Sequence, residues 1–86
     1  MKVDLQWPAD QQLLLGLMPF YVFREEVKEA ISAIIGLGKI HHLYLQNVPK
    51  SGQIWGQVAF VNKSVMLQVE KIGVKINSLK IPMSKY

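Results

Sequence analysis

The spacing of apolar residues in the first half of the chain predicts a strand followed by a helix. Residues 13–18 are apolar on both faces, which is typical of a central strand, and Pro19 ends the run. From about Arg24, apolar residues recur with the i, i+3, i+4 spacing of a helix packed on a sheet. They are Val27, Ala30, Ile31, Ile34 and Ile35. No side chain suited to an N-cap precedes this helix.

The second half of the chain predicts three more strands and a second helix. Strands are expected over residues 39–46 and 54–61, joined by a turn-rich connector. Ser64 is suited to cap a short helix that ends near residue 71. Residues 74–83 predict a hairpin around Asn77-Ser78 and then a final strand. Pro82 requires that strand to lie at a sheet edge, because proline cannot donate a ladder hydrogen bond.

Residues 1–12 show no clear period and are interpreted as an N-terminal extension to one small domain over residues 13–86. Trp7 is the exception within the extension. A tryptophan there either folds back over the domain or awaits a partner, and folding back is the more common outcome because an exposed indole is a liability.

Cysteine content, the length of apolar runs and the distribution of charge limit the classes of protein to which the chain can belong. The chain has no cysteine, which excludes disulfides and thiolate chemistry and fits a reducing nuclear or cytoplasmic location. The longest nearly apolar run has eleven residues, whereas a spanning helix needs about twenty, so no membrane association is expected. Residues 1–38 carry three cations against five carboxylates, and residues 39–86 carry seven against one. The basic half attracts phosphates or is an ordinary lysine-rich surface, and both interpretations stay open.

The sequence contains no group of residues that is typical of a catalytic site or a metal site. His41 and His42 are strand neighbours whose side chains point to opposite faces, so the pair is not expected to chelate one ion. Glu25, Glu26 and Glu29 lie in the first turns of the predicted helix and form a solvated face. No set of nucleophile, base and orienting group is visible, so we expect no enzyme and no cofactor.

Three parts of the chain carry a recognisable pattern: Leu17-Met-Pro19 with Glu25-Glu26-Val27 and Ala30-Ile31, then Gly38-Lys-Ile40, and then Gly56-Gln-Val-Ala-Phe-Val61. Together these segments resemble the RNA recognition motif family. The last segment is similar to the third-strand octapeptide K/R-G-F/Y-G/A-F-V-x-F/Y, with Ala59, Phe60 and Val61 at its G/A, F and V. The resemblance implies an α+β, ferredoxin-like β-α-β-β-α-β sandwich, in which a four-stranded antiparallel sheet carries two helices on one face.

The resemblance also implies a weakened binding face. The family stacks bases on aromatics at three strand positions, which hold Leu14, Val58 and Phe60 in this alignment. Base stacking is worth about 1–3 kcal/mol per base, so the loss of two aromatics predicts weak binding. Strand alternation would bring Tyr44, and with it His42, beside Phe60 on the sheet face that carries no helices.

Two hypotheses follow for the partner. The first is weak single-stranded RNA binding, with stacking by aromatics, a hydrogen bond from an amide and phosphate contacts by lysines; the residues are Tyr44, Phe60, Asn62, Lys80, Lys39 and Lys63. The second is a scaffold that keeps the fold of the RNA recognition motif (RRM) and binds a protein partner, or forms a homodimer, within a ribonucleoprotein complex. Its contact residues would be Leu14, Val58, Trp7, Glu25 and Glu29.

Overall fold

The computed structural model describes residues 2–19 and 21–86. In chain order the elements are β1 (Gln12–Pro19), α1 (Arg24–Ile35), β2 (Ile40–Val48), β3 (Gln53–Phe60), α2 (Lys63–Ile72), β4 (Val74–Ile76), β5 (Leu79–Ile81) and β6 (Met83–Lys85). A 3-10 turn over Ala9–Gln11 leads into β1. Within these described ranges, no helix is long and apolar enough to cross a membrane.

A four-stranded antiparallel sheet has the order β2-β3-β1-β6, and β4 and β5 form a separate hairpin. The predicted α+β, ferredoxin-like fold is confirmed. Pro82, expected within the last strand, lies instead between β5 and β6, and β6 is an edge strand as predicted. Asn77 and Ser78 both have positive φ, 52° and 69°, the backbone that a two-residue hairpin turn needs. The predicted hairpin around these residues is therefore also confirmed.

The core lies between the two helices and one face of the large sheet. Leu13, Ile31, Val58, Phe60 and Val69 are all completely buried there. Side chains alternate along a strand, so every second residue of β1, β2 and β3 turns to the opposite face. The sheet therefore has one face sealed by helices and one that the helices leave uncovered.

The two helices begin in different ways. The predicted cap for α2 is wrong, because Asn62 and not Ser64 is its N-cap: the Asn62 Oδ1 accepts from the N–H of Val65 at 2.9 Å. At α1 no side chain of the preceding residue caps the helix, as the sequence predicted. The Glu26 Oε1 instead accepts from the N–H of Phe23 at 3.1 Å.

A bulge in β1 brings edge strand β6 close to the sheet. The pairing with β3 shifts register between Leu15 and Met18. At this bulge the Gly16 N–H donates to the carbonyl of Pro82 at 2.6 Å. A Cβ at Gly16 would lie 2.8 Å from the Pro82 Cβ, so the close approach requires glycine.

Candidate nucleic-acid interface

The face of the sheet opposite the helices is the candidate site, and we call it the open face. On β3, the even-numbered residues Ile54, Val58 and Phe60 belong to the core. Because side chains alternate along a strand, the odd-numbered residues 55, 57 and 59 point to the opposite face. Strand pairing then places three β2 residues beside them. The open face thus comprises Gln12 and Leu14 on β1, His42, Tyr44 and Gln46 on β2, and Trp55, Gln57 and Ala59 on β3.

The predicted placement of Phe60 and Val58 on the open face is wrong. Both side chains are completely buried in the core beneath the helices. The alignment matched the letters Ala-Phe-Val but shifted the octapeptide by three positions, and an odd shift exchanges the two faces of a strand. With Gln53 as the first place, an aromatic, a glycine, a valine and an aromatic fall at places three, four, six and eight. These are Trp55, Gly56, Val58 and Phe60.

Trp55 is thus the open-face aromatic that the sequence interpretation missed. Its ring lies 5.6 Å from the ring of Tyr44, centroid to centroid, at an interplanar angle of 51°. The Tyr44 hydroxyl donates to the Gln46 Oε1 at 2.8 Å, which holds the phenol along β2. Trp55 is 7% exposed and Tyr44 is half-buried, so the phenol is the more accessible ring.

A depression of about 190 Å³ opens beside the Trp55 indole. Its lining is mostly apolar, with one serine at the β6 edge. The lining residues are Leu14, Leu15, Gly16, Leu17, Trp55, Gly56 and Ser84. Leu14 thus lies on the open face as predicted, and it borders this depression.

The N-terminal segment, residues 2–7, covers the part of the open face around Gln57. The Val3 N–H donates to the Gln57 Oε1 at 3.0 Å, and the Gln57 Nε2 donates to the Val3 carbonyl at 2.8 Å and to the Gln12 Oε1 at 2.7 Å. Gln57 is completely buried, which is tolerable because both ends of its amide are hydrogen-bonded. Gln57 is the fifth place of the octapeptide, where the family carries a stacking aromatic. In this chain the N-terminal segment covers that place.

Trp7 holds the other end of the N-terminal segment. Its ring stacks on His41, with centroids 3.6 Å apart and planes 15° apart, and its indole N–H donates to the Phe60 carbonyl at 2.6 Å. The Gln12 Nε2 donates to the Trp7 carbonyl at 2.8 Å. Folding back, the more common fate predicted for this tryptophan, is the one observed.

The other predicted RNA contacts do not gather around Tyr44. Asn62 and Lys80, two of the predicted RNA contacts, do not lie on the open face: Asn62 caps α2, and Lys80 lies in the small hairpin opposite Lys75. Lys63 is the first residue of α2. Lys39 directly precedes β2, and its carbonyl accepts from the N–H of Val61 at 3.1 Å.

The acidic side of α1 lies away from the open face. Glu25 and Glu29 are exposed and line a shallow groove of about 420 Å³ together with Leu37. Among residues 2–19 and 21–86, no three potential ligands come together to hold a metal ion.

Comparison with known proteins identifies solved structures that share this fold. No family model matches the sequence, and no curated protein matches it. The chain is similar to a solved Mip6 RRM3 domain, with 16% identity, a TM-score of 0.73, and coverage of 92% of this chain and 95% of that one. It is also similar to the solved Pes4 RRM3, with 18% identity, a TM-score of 0.71, and coverage of 88% and 90%. Together with the strand order and the two helices on one face, these likenesses show that the chain has the fold of an RNA recognition motif.

Proposed function

We propose that this chain is a single-stranded RNA-binding module of the RRM type. The observation that carries the proposal is the pair of Tyr44 and Trp55 on the open face, beside a depression that the N-terminal segment does not fill. RRM folds generally bind RNA by stacking splayed bases on sheet aromatics. This pair is where the present sheet offers that surface.

Each ring has a distinct role in the proposed contact. Tyr44 presents its half-buried ring to one base, while a neighbouring base enters the depression against the edge of Trp55. Gln46 is exposed beside them, and its amide can pair with the polar edge of a stacked base. Binding is weak because Leu14 replaces an aromatic and Gln57 is covered.

Lysines near β2 supply the phosphate contacts in this proposal. Lys39 precedes the strand and Lys50 lies in the turn that follows it, so both ends of β2 carry an exposed cation. A strand of RNA lying along Tyr44 would pass both of them. Lysine binds phosphate as a point charge without base specificity, so affinity should fall steeply with salt.

Fluorescence anisotropy with a labelled mixed-sequence RNA octamer tests the proposal. Tyr44→Ala should weaken binding at least about fivefold, since stacking contributes about 1–3 kcal/mol per base. Phe23→Ala is the matched control, because Phe23 is a 67% exposed aromatic at the start of α1. Equal losses in both variants, or none in either, would remove the proposed face.

Protein binding is the second candidate, favoured by large apolar side chains exposed outside the open face. Leu37 is 86% exposed, Phe23 67% and Ile72 59%. Exposed apolar side chains of this size are candidate contacts for a partner or a second copy. Sedimentation analysis separates the candidates: self-association reduced by Leu37→Ser, together with no RNA binding, would favour this one.

A further inference from the structure

We propose that the indole of Trp7 occupies a purine subsite, formed by the ring of His41 and the main-chain carbonyl of Phe60. A purine of single-stranded RNA replaces the indole there when the N-terminal segment leaves the sheet. The inference rests on the proposed RNA-binding function and extends it to the start of β2, where Trp7 covers His41. We call this place the His41 subsite.

The stacking geometry is that of a base on an aromatic platform. The Trp7 and His41 rings are nearly parallel and separated by 3.6 Å between centroids. Histidine is among the side chains on which RNA bases stack. An indole and a purine are both flat, fused two-ring systems, so a purine covers the imidazole as the indole does. A pyrimidine, with one ring, covers less of it.

The hydrogen bond at the subsite also suits a base. The Phe60 carbonyl accepts from the Trp7 indole N–H at 2.6 Å, in the last residue of β3. Adenine offers an exocyclic N6 amino group as a donor, so it can satisfy the same acceptor. A carbonyl at a strand end loses nothing when one N–H replaces another, and the exchange therefore leaves no unpaired polar group.

A second base-like contact lies at the other end of the N-terminal segment. The main chain of Val3 presents a donor and an acceptor side by side to the amide of Gln57. Glutamine makes the same two-way contact with the N6 and N7 atoms of adenine. The N-terminal segment thus places base-like partners on two parts of the sheet, the main chain of Val3 at Gln57 and the indole of Trp7 at His41.

In this proposal the N-terminal segment is the part that moves. Residues 2–8 have no regular secondary structure, and the segment is held by Lys2, whose Nζ donates to the Tyr86 carbonyl at 3.1 Å, and on the sheet at Val3 and Trp7. Gln6 between them has a φ of 55°, a left-handed conformation that non-glycine residues rarely adopt. When a binding surface is open for only a fraction of the time, the apparent dissociation constant rises by the inverse of that fraction. Loosening Trp7 should therefore tighten RNA binding.

The test compares RNA octamers of adenylate and uridylate on full-length variants. Trp7→Ala removes one hydrogen bond and one aromatic stack from the closed state, so it should tighten adenylate binding about fivefold or more, and uridylate binding less. His41→Ala added to Trp7→Ala should abolish the gain. Phe23→Ala, remote from the subsite, should change neither affinity.

A second readout uses the unaltered chain, in case Trp7→Ala disturbs folding. Adenylate should shift the Trp7 indole N–H resonance toward that of a free indole as the bond to Phe60 breaks. An unmoved resonance, or equal affinity in Trp7→Ala while Tyr44-dependent binding persists, overturns this inference alone. Weaker binding by a folded Trp7→Ala variant would make Trp7 itself an RNA contact and overturn it too. Absence of RNA binding in every variant overturns the proposed function and this inference together.

Discussion

The amide of Gln57 forms a two-way hydrogen bond with the main chain of Val3, a residue 54 positions earlier in the sequence. This contact buries a polar side chain at the centre of the sheet face that usually meets RNA in this fold. It divides the open face into a covered strip around Gln57 and an accessible part around Tyr44. The stability of the chain and its proposed activity both depend on that division.

Gln57→Ala should lower the free energy of unfolding by about 1–3 kcal/mol, because it leaves the partly buried main chain of Val3 and the buried amide of Gln12 without their hydrogen bonds. Urea denaturation measures the change. Gln68→Ala, at an exposed position on α2, is the control and should stay within about 0.5 kcal/mol. Equal stabilities for the two variants would show that the contact with Val3 is not formed in solution.

Phe60→Leu separates a core role from an RNA-stacking role for this residue. Since Phe60 is completely buried, the smaller side chain should reduce stability by about 1–2 kcal/mol, yet the folded variant should bind RNA as before. Thermal unfolding and RNA titration at a temperature where the variant is folded measure the two effects. Normal stability with lost RNA affinity would return Phe60 to the open face.

Asn62→Ala should cost about 1 kcal/mol, because it removes the side-chain acceptor for the Val65 N–H at the start of α2. Ser64→Ala, within the first turn of the same helix, should cost much less. Urea midpoints of the two variants decide between them. A larger loss for Ser64→Ala would assign the cap to serine.

Gly16→Ala should destabilise the chain by about 1–3 kcal/mol, because its Cβ would lie 2.8 Å from that of Pro82 and push β6 away from β1. Amide hydrogen exchange should show faster exchange at Ser84 and its neighbours in β6. Ser84→Ala, which adds no atom at the contact, is the control. Unchanged exchange in Gly16→Ala would mean that β6 does not approach β1 so closely.

Lys39→Gln should weaken RNA binding and reduce the slope of log affinity against log salt by about one, the value expected for one lost phosphate contact. Lys75→Gln, in the small hairpin, carries the same charge change away from the open face and should alter neither quantity. Identical effects from the two variants would indicate a diffuse electrostatic attraction in place of a path along β2.

Local patterns predicted most of the fold. The i, i+3, i+4 spacing located α1 from Arg24, and the Asn77-Ser78 turn located the small hairpin, because each depends on residues close in sequence. Pro82 predicted an edge strand for the same reason. Aligning the octapeptide by residue identity put Phe60 on the wrong face of the sheet. Side chains alternate along a strand, so an alignment displaced by an odd number of residues exchanges the two faces. The Trp55-Gly56 pair was the signal that gives the correct register.

The cover of the open face could not be predicted from local patterns. Gln57 finds its partner in the main chain of Val3, and a main-chain partner leaves no signature in the side-chain sequence. The partner of Trp7 is likewise a carbonyl, 53 residues away at Phe60. The sequence indicated that Trp7 folds back, but it held no information on where the indole would lie.

The most direct measurement is an NMR titration of isotope-labelled protein with a mixed-sequence single-stranded RNA at low and moderate salt. RNA binding through the accessible part of the open face predicts shifts centred on Tyr44, Gln46 and Trp55 that shrink as salt rises. Shifts confined to α1 and the exposed apolar residues around Leu37, or no shifts at all, would contradict an RNA-binding role for this sheet.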